Sequence, residues 1–104
     1  MHGGRAIVLI GFMGAGKSSA GRALALRTGL PVFDTDEMAA ARAGLTIPQI
    51  FAQRGEEYFR RLETERLAGI SDLSAKIVVT GGGIVLRAEN VARLRSLGRV
   101  VYLT

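Results

Sequence analysis

Four short runs dominated by apolar side chains, Ala6–Ile10, Pro31–Phe33, Ile77–Thr80 and Val100–Leu103, are separated by stretches in which apolar positions recur at helical spacing. The first run, Ala-Ile-Val-Leu-Ile, offers no polar position on either face, as a strand buried on both sides at the centre of a parallel sheet requires. The pattern then turns helical over Ser18–Thr28, with Ala20, Ala23 and Leu24 on one face and Gly29 as the C-terminal cap. Gly21 weakens that helix and is explained if its backbone packs closely on the sheet. A short helix is predicted over Met38–Ala43, ending near Gly44. Thr46-Ile-Pro-Gln49 then has the spacing of a capping box with proline in the first turn, opening a segment that runs to about Gln53. Arg54-Gly55 breaks the pattern, Glu56–Ile70 resumes it, and Ala88–Ser96 forms a last helix that Gly98 stops. Strands alternating with helices through short connections predict an α/β fold with a mostly parallel sheet in one small domain, with Met1–Gly4 as a lead-in.

Composition narrows the class. Apolar residues make up 48% of the 104-residue chain, which excludes disorder, and the absence of cysteine excludes disulfide staples and thiolate metal sites. The formal charge of +5 is carried mostly by arginine, suited to phosphates and carboxylates through planar bidentate contacts. Nucleic acid is not an expected partner, because the arginines are scattered among acids and aromatics are few. Neither is a membrane, since no stretch is long enough to span one. Arg5 followed by Ala6–Gly16 imitates a signal peptide, but the run leads into Lys17 without a small-residue cleavage site.

Gly11-Phe-Met-Gly-Ala-Gly-Lys-Ser18 fits the G-x-x-x-x-G-K-S phosphate loop. Its glycines let backbone N–H groups curl around an anion, Lys17 reaches the outer phosphates, Ser18 offers a hydroxyl to Mg²⁺, and the following helix N-terminus adds free donors. An ordinary glycine-rich turn with a solvated lysine is the plain alternative, and the flanking strand and helix tell against it. Asp34-Thr35-Asp36 follows the second strand, at the edge where ligands sit in open α/β sheets. Past the strand end the two carboxylates can converge on one site; alternatively, Asp36 or Thr35 caps the helix at Met38. Arg60 has Glu56 and Glu63 at helical spacing, and Arg61 has Glu57 and Glu65. A solvated, ion-paired helix explains Arg61 well. Arg60, following Tyr58-Phe59, either belongs to that solvated face or borders an apolar wall where it would grip a substrate carboxylate. Spacing leaves both open. Gly81-Gly82-Gly83 must turn sharply or come very close to something, and reads as a backbone donor site beside the phosphate loop.

These motifs together resemble shikimate kinase: G-x-M-G-x-G-K-S, an aspartate-x-aspartate after the second strand, Phe59-Arg60-Arg-Leu-Glu63 and a triple glycine, in that order along the whole chain. The resemblance implies a three-layer, P-loop NTPase-like fold with strand order 2-3-1-4, and transfer of the γ-phosphate of ATP to the 3-hydroxyl of shikimate. Gly14, Ala15, Gly16, Lys17, Ser18 and Ser19 would hold the nucleotide, with Lys17 stabilising the moving phosphoryl group. Ser18, and Asp34 through a coordinated water, would hold Mg²⁺. Asp36 would bind the substrate hydroxyls and orient or deprotonate the attacking one. Arg60 would pair with the carboxylate, supported by Glu63; Gly81, Gly82 and Gly83 would bind substrate; and Phe51 and Phe59 would wall the pocket. A cytoplasmic location is expected.

The departure lies at the end of the chain. Family members continue with an arginine-bearing lid, a fifth strand, an adenine-contacting loop and a second carboxylate-binding arginine. A chain ending at Thr104 is therefore expected to be truncated, weak in nucleotide binding, poor in turnover and prone to self-association, whereas the full-length form is expected to be a monomer. Kinases of gluconate or a nucleoside monophosphate, and a non-catalytic nucleotide-binding module, are the competing readings.

Overall fold

The structure, a computed structural model, describes residues 5–11, 17–71 and 74–103. In chain order the elements are β1 (Ala6–Gly11), α1 (Lys17–Thr28), β2 (Val32–Asp34), α2 (Thr35–Ala43), α3 (Ile47–Gln53), α4 (Glu56–Ala68), β3 (Lys76–Val79), a 3₁₀ turn (Gly82–Leu86), α5 (Ala88–Leu97) and β4 (Gly98–Leu103). The strands form one parallel sheet in the order β2-β3-β1-β4, the expected α/β topology. β1 is central, as its unbroken apolar run requires: Val8 pairs with Val78 on one side and Val100 on the other.

Alternate residues of the central strands feed opposite cores. Ala6, Val8 and Val78 pack with Leu67, Ile84, Leu94 and Leu97 from the α4 and α5 side. Leu9, Ile77 and Val79 face α1 through Ala20, Leu24 and Ala25. A third cluster, Ala39, Ile50, Phe59 and Leu62, ties α2 and α3 to α4. The result is three layers with a small helical annex over one end of the sheet. Gly21 is central to the α1 contact, since a Cβ there would stand 2.7 Å from Val79 Cγ2. Ala23, expected on the same face, is exposed instead, because the helix turns its Gly21 and Ala25 side to the strands.

The boundaries shift where side chains intervene. The capping box forms as predicted: Gln49 N donates to Thr46 Oγ1 at 3.2 Å and Thr46 N to Gln49 Oε1 at 3.0 Å. α2, however, begins at Thr35 and not at Met38, and its cap is neither Asp36 nor Thr35. Asp34 Oδ1 accepts the backbone N–H of Asp36 at 2.9 Å and of Glu37 at 3.1 Å, so the helix starts the moment the strand ends. β3 begins at Lys76, a lysine buried to 3% exposure because Nζ donates to the carbonyls of Ser71 and Ser74 at 2.6 and 2.5 Å. β4 starts at Gly98, where a side chain would strike the backbone of Ala6 on β1.

Candidate functional site

Parallel strands deliver their carboxyl ends to one edge, so Gly11, Asp34 and the segment after Val79 gather there. Thr80, 1% exposed, fastens that edge: its backbone N and its Oγ1 both donate to Leu9 O, at 3.1 and 3.2 Å. The triple glycine leaves β3 directly above this staple, and Gly82 opens the 3₁₀ turn.

Beside the turn lies a cavity of about 170 Å³. Ile47, Phe51 and Phe59 supply its apolar wall, and Asp36, Arg60 and Glu63 its charges, with Gly81 and Gly83 forming one side. The Phe51 and Phe59 rings lie 5.1 Å apart, and Arg60 Cζ sits 5.4 Å from the Phe59 ring centre. Arg60 thus borders the apolar wall and, at the same time, makes the ion pairs that its helical spacing offers. Its Nε and Nη2 donate to Glu56 Oε2 at 3.4 and 3.3 Å and its Nη1 to Glu63 Oε1 at 3.2 Å. These bonds use three of a guanidinium's five N–H groups, leaving one on each terminal nitrogen for a ligand among the described contacts.

Two of the glycines approach charged side chains closely. A Cβ on Gly81 would stand 2.5 Å from Asp36 Oδ1, and one on Gly83 would stand 2.5 Å from Arg60 Cζ. The turn therefore rests directly on the two charged groups that face the cavity. Glu63, on the same helix as Arg60, is wholly buried. Burial is the main cause that lifts its carboxyl from the ordinary 4.5 to about 7; Arg60 opposes the shift and the neighbouring Asp36 carboxylate adds to it.

The nucleotide-side residues are less fully described. Gly14, Ala15 and Gly16 lie outside the described residues, as do the side chains of Lys17 and Ser18; Ser19 is exposed on the first turn of α1. What is present is the context the phosphate loop needs, β1 ending at Gly11 and α1 opening at Lys17. Asp34 and Asp36 both stand at the carboxyl end of β2. Asp34 lines a cavity of about 210 Å³ with Arg22, Val32, Glu37 and Val79, and Asp36 lines the one it shares with Arg60 and Glu63 of α4. As a hard oxygen donor Asp34 suits Mg²⁺: Oδ1 is committed to the α2 cap, and Oδ2 makes no hydrogen bond to a described residue. Among the described residues no group of three or more His, Cys, Asp or Glu side chains forms a metal cluster.

Arg61 is not held by the bracketing carboxylates. Glu57 pairs with Arg87 at 2.7 Å, and Arg61 lies 5.7 Å from the Tyr58 ring centre. Two residues that fix the far end of the 3₁₀ turn escaped the sequence reading: Arg87, through that pair, and Asn90, whose Nδ2 donates to Ile84 O at 3.0 Å. Arg87 finds its carboxylate 30 residues away, too far for any local spacing to reveal.

The family model for shikimate kinase matches residues 13–104. A curated shikimate kinase from Geobacter sulfurreducens is 46% identical over 101 residues, 97% of this chain and 56% of that protein. One from Symbiobacterium thermophilum is 50% identical over 97 residues, 93% of this chain and 56% of that protein. Among solved structures, shikimate kinase from Acinetobacter baumannii in complex with shikimate superposes with a TM-score of 0.90 at 41% identity, covering 95% of this chain and 55% of that one. The enzyme from Aquifex aeolicus gives 0.87, also at 41% identity, covering 95% of this chain and 59% of that one. The chain thus spans about half the length of the curated relatives it matches.

Proposed function

The chain belongs to the shikimate kinase family, and from that premise we propose that it serves ATP-dependent phosphorylation of the 3-hydroxyl of shikimate, as a single P-loop kinase domain. The observation that carries the acceptor assignment is the joint exposure of Asp36 and Arg60 to one cavity walled by Phe51 and Phe59 and closed by Gly81 and Gly83. A cyclic hydroxy acid meets complementary groups there. Its carboxylate takes the two remaining N–H groups of Arg60, its ring lies against the phenylalanines, and its hydroxyls reach Asp36 and the backbone of Gly81, Gly82 and Gly83. Asp36 then orients the attacking hydroxyl and receives its proton.

On the donor side, Gly14, Ala15 and Gly16, which fall in sequence between the end of β1 and the start of α1, would cradle the ATP phosphates, with Ser19 in the first turn of α1. Lys17 stabilises the transferring phosphoryl group. Ser18, and Asp34 through a coordinated water, would hold Mg²⁺, which when bound neutralises the phosphate oxygens. A cytoplasmic setting accords with a cysteine-free chain, and no described helix is long and apolar enough to cross a membrane.

The test is ADP formation measured with shikimate, gluconate and nucleoside monophosphates as acceptors. Of these acceptors only shikimate is expected to raise ADP formation, at a rate low for a kinase. Asp36→Asn should lower kcat by roughly 10²–10⁴-fold, the usual worth of a positioned base, and Arg60→Ala should act chiefly on KM. ADP formation driven by gluconate or a nucleotide but not by shikimate would reject the assignment.

A further inference from the structure

Glu63 has none of its side chain exposed. Its Oε1 accepts from Arg60 Nη1 at 3.2 Å, whereas Oε2 is buried and receives no hydrogen bond from a described group. The Asp36 carboxyl group of α2 lines the same cavity, and its negative charge opposes ionisation of Glu63. An ionised Glu63 therefore leaves a buried oxygen unsatisfied beside a second negative charge. A neutral Glu63 keeps the Arg60 bond through Oε1 and removes both the unsatisfied charge on Oε2 and its repulsion with Asp36.

The charged groups around it are few. Arg60 comes from its own helix and Asp36 from α2; Glu56 acts only through Arg60, and Arg87 is turned toward Glu57 and Thr64. α3 and the 3₁₀ turn bring no ionisable side chain. Arg60 is thus the single positive charge among the described residues that holds Glu63 in its ionised form. Any anion that engages the free edge of that guanidinium competes for it.

We propose that Glu63 couples ligand charge to proton uptake: when a carboxylate docks on Arg60, Glu63 takes one proton from solvent and passes from carboxylate to carboxylic acid. An O–H bond forms at Oε2, the proton comes from the buffer, and no other bond changes. The coupling rests on the proposed docking of the acceptor carboxylate at Arg60. It keeps the charge of the closed pocket constant, because the negative charge that enters with the ligand is matched by the one Glu63 loses. The existing lift of the Glu63 carboxyl to about 7 leaves it near half-ionised at neutral pH, where a small change in its surroundings has the largest effect. Uptake is therefore expected to peak just above neutrality and to fade in acid, where Glu63 is already protonated.

The experiment is calorimetric titration of the protein with shikimate slightly above neutral pH, in buffers of differing ionisation enthalpy. The expected result is uptake of up to one proton per ligand, absent in Glu63→Gln and absent when the ligand carboxylate is reduced to an uncharged alcohol. Wild-type binding with no buffer dependence, or the same uptake persisting in Glu63→Gln, would overturn the coupling. Carbon-13 NMR titration of the glutamate carboxyl groups in ligand-free protein gives an arm independent of shikimate. A Glu63 midpoint near the ordinary glutamate range overturns the coupling while leaving the kinase reading intact. No binding of shikimate at all rejects the kinase reading, and the coupling with it.

Discussion

Gly83 and Glu63 carry the sharpest consequences for single side chains. An alanine methyl at position 83 would collide with the Arg60 guanidinium and push it off the Phe59 ring. Gly83→Ala is expected to raise KM for shikimate about tenfold or more, equivalent to roughly 1.4 kcal/mol of lost binding, with unchanged thermal stability; a steady-state assay beside a melting curve checks both. Glu63 sets a pH dependence of stability. Because folding lifts its carboxyl from 4.5 to about 7, the native state holds this proton more tightly than the unfolded chain does. That contribution is fully present below about 4.5 and is lost as the pH rises through 7, and its size is on the order of 3 kcal/mol. Denaturant titrations should show Glu63→Gln flattening the decline in stability between mildly acid and mildly alkaline pH. The sequence marked three glycines as a place of close approach but could not say to what, since Asp36 and Arg60 reach the turn only through the fold. The burial of Glu63 was equally invisible, because helical spacing offered it only as a partner for Arg60.

Among the elements, α2 and α3 illustrate what local pattern can and cannot reveal. The Thr46/Gln49 box is written in four consecutive residues and forms as read. Thr46→Ala should cost ~1 kcal/mol by removing one of its two reciprocal bonds, measurable as a shift in the urea midpoint. The start of α2 was misplaced because Asp34 acts twice, as the last residue of β2 and as the helix cap, and no period distinguishes those roles. Asp34→Asn keeps a capping oxygen while removing the charge. It is therefore expected to preserve stability within about 0.5 kcal/mol yet weaken Mg²⁺-dependent nucleotide binding, which calorimetry with and without the metal would separate.

For the whole molecule, alternation of strand and helix was enough to give a parallel α/β sheet. The order β2-β3-β1-β4 was not in that alternation and came from the resemblance, as strand neighbours are set by packing between distant segments. That order puts β3 between β1 and β2, so the triple glycine emerges beside both the phosphate-loop strand and Asp34. The charge of the chain follows the same logic: of the scattered arginines behind the formal +5, Arg60 is brought onto the cavity wall while Arg61 lies against Tyr58. The most direct measurement is a shikimate titration of nitrogen-15-labelled protein followed by heteronuclear NMR. Saturable shifts are expected at the Gly81 and Gly83 amides and the Arg60 side-chain N–H, and they should be lost in Arg60→Ala. Shifts confined to other residues, or persisting undiminished in Arg60→Ala, would contradict an acceptor site at the carboxyl edge of β3.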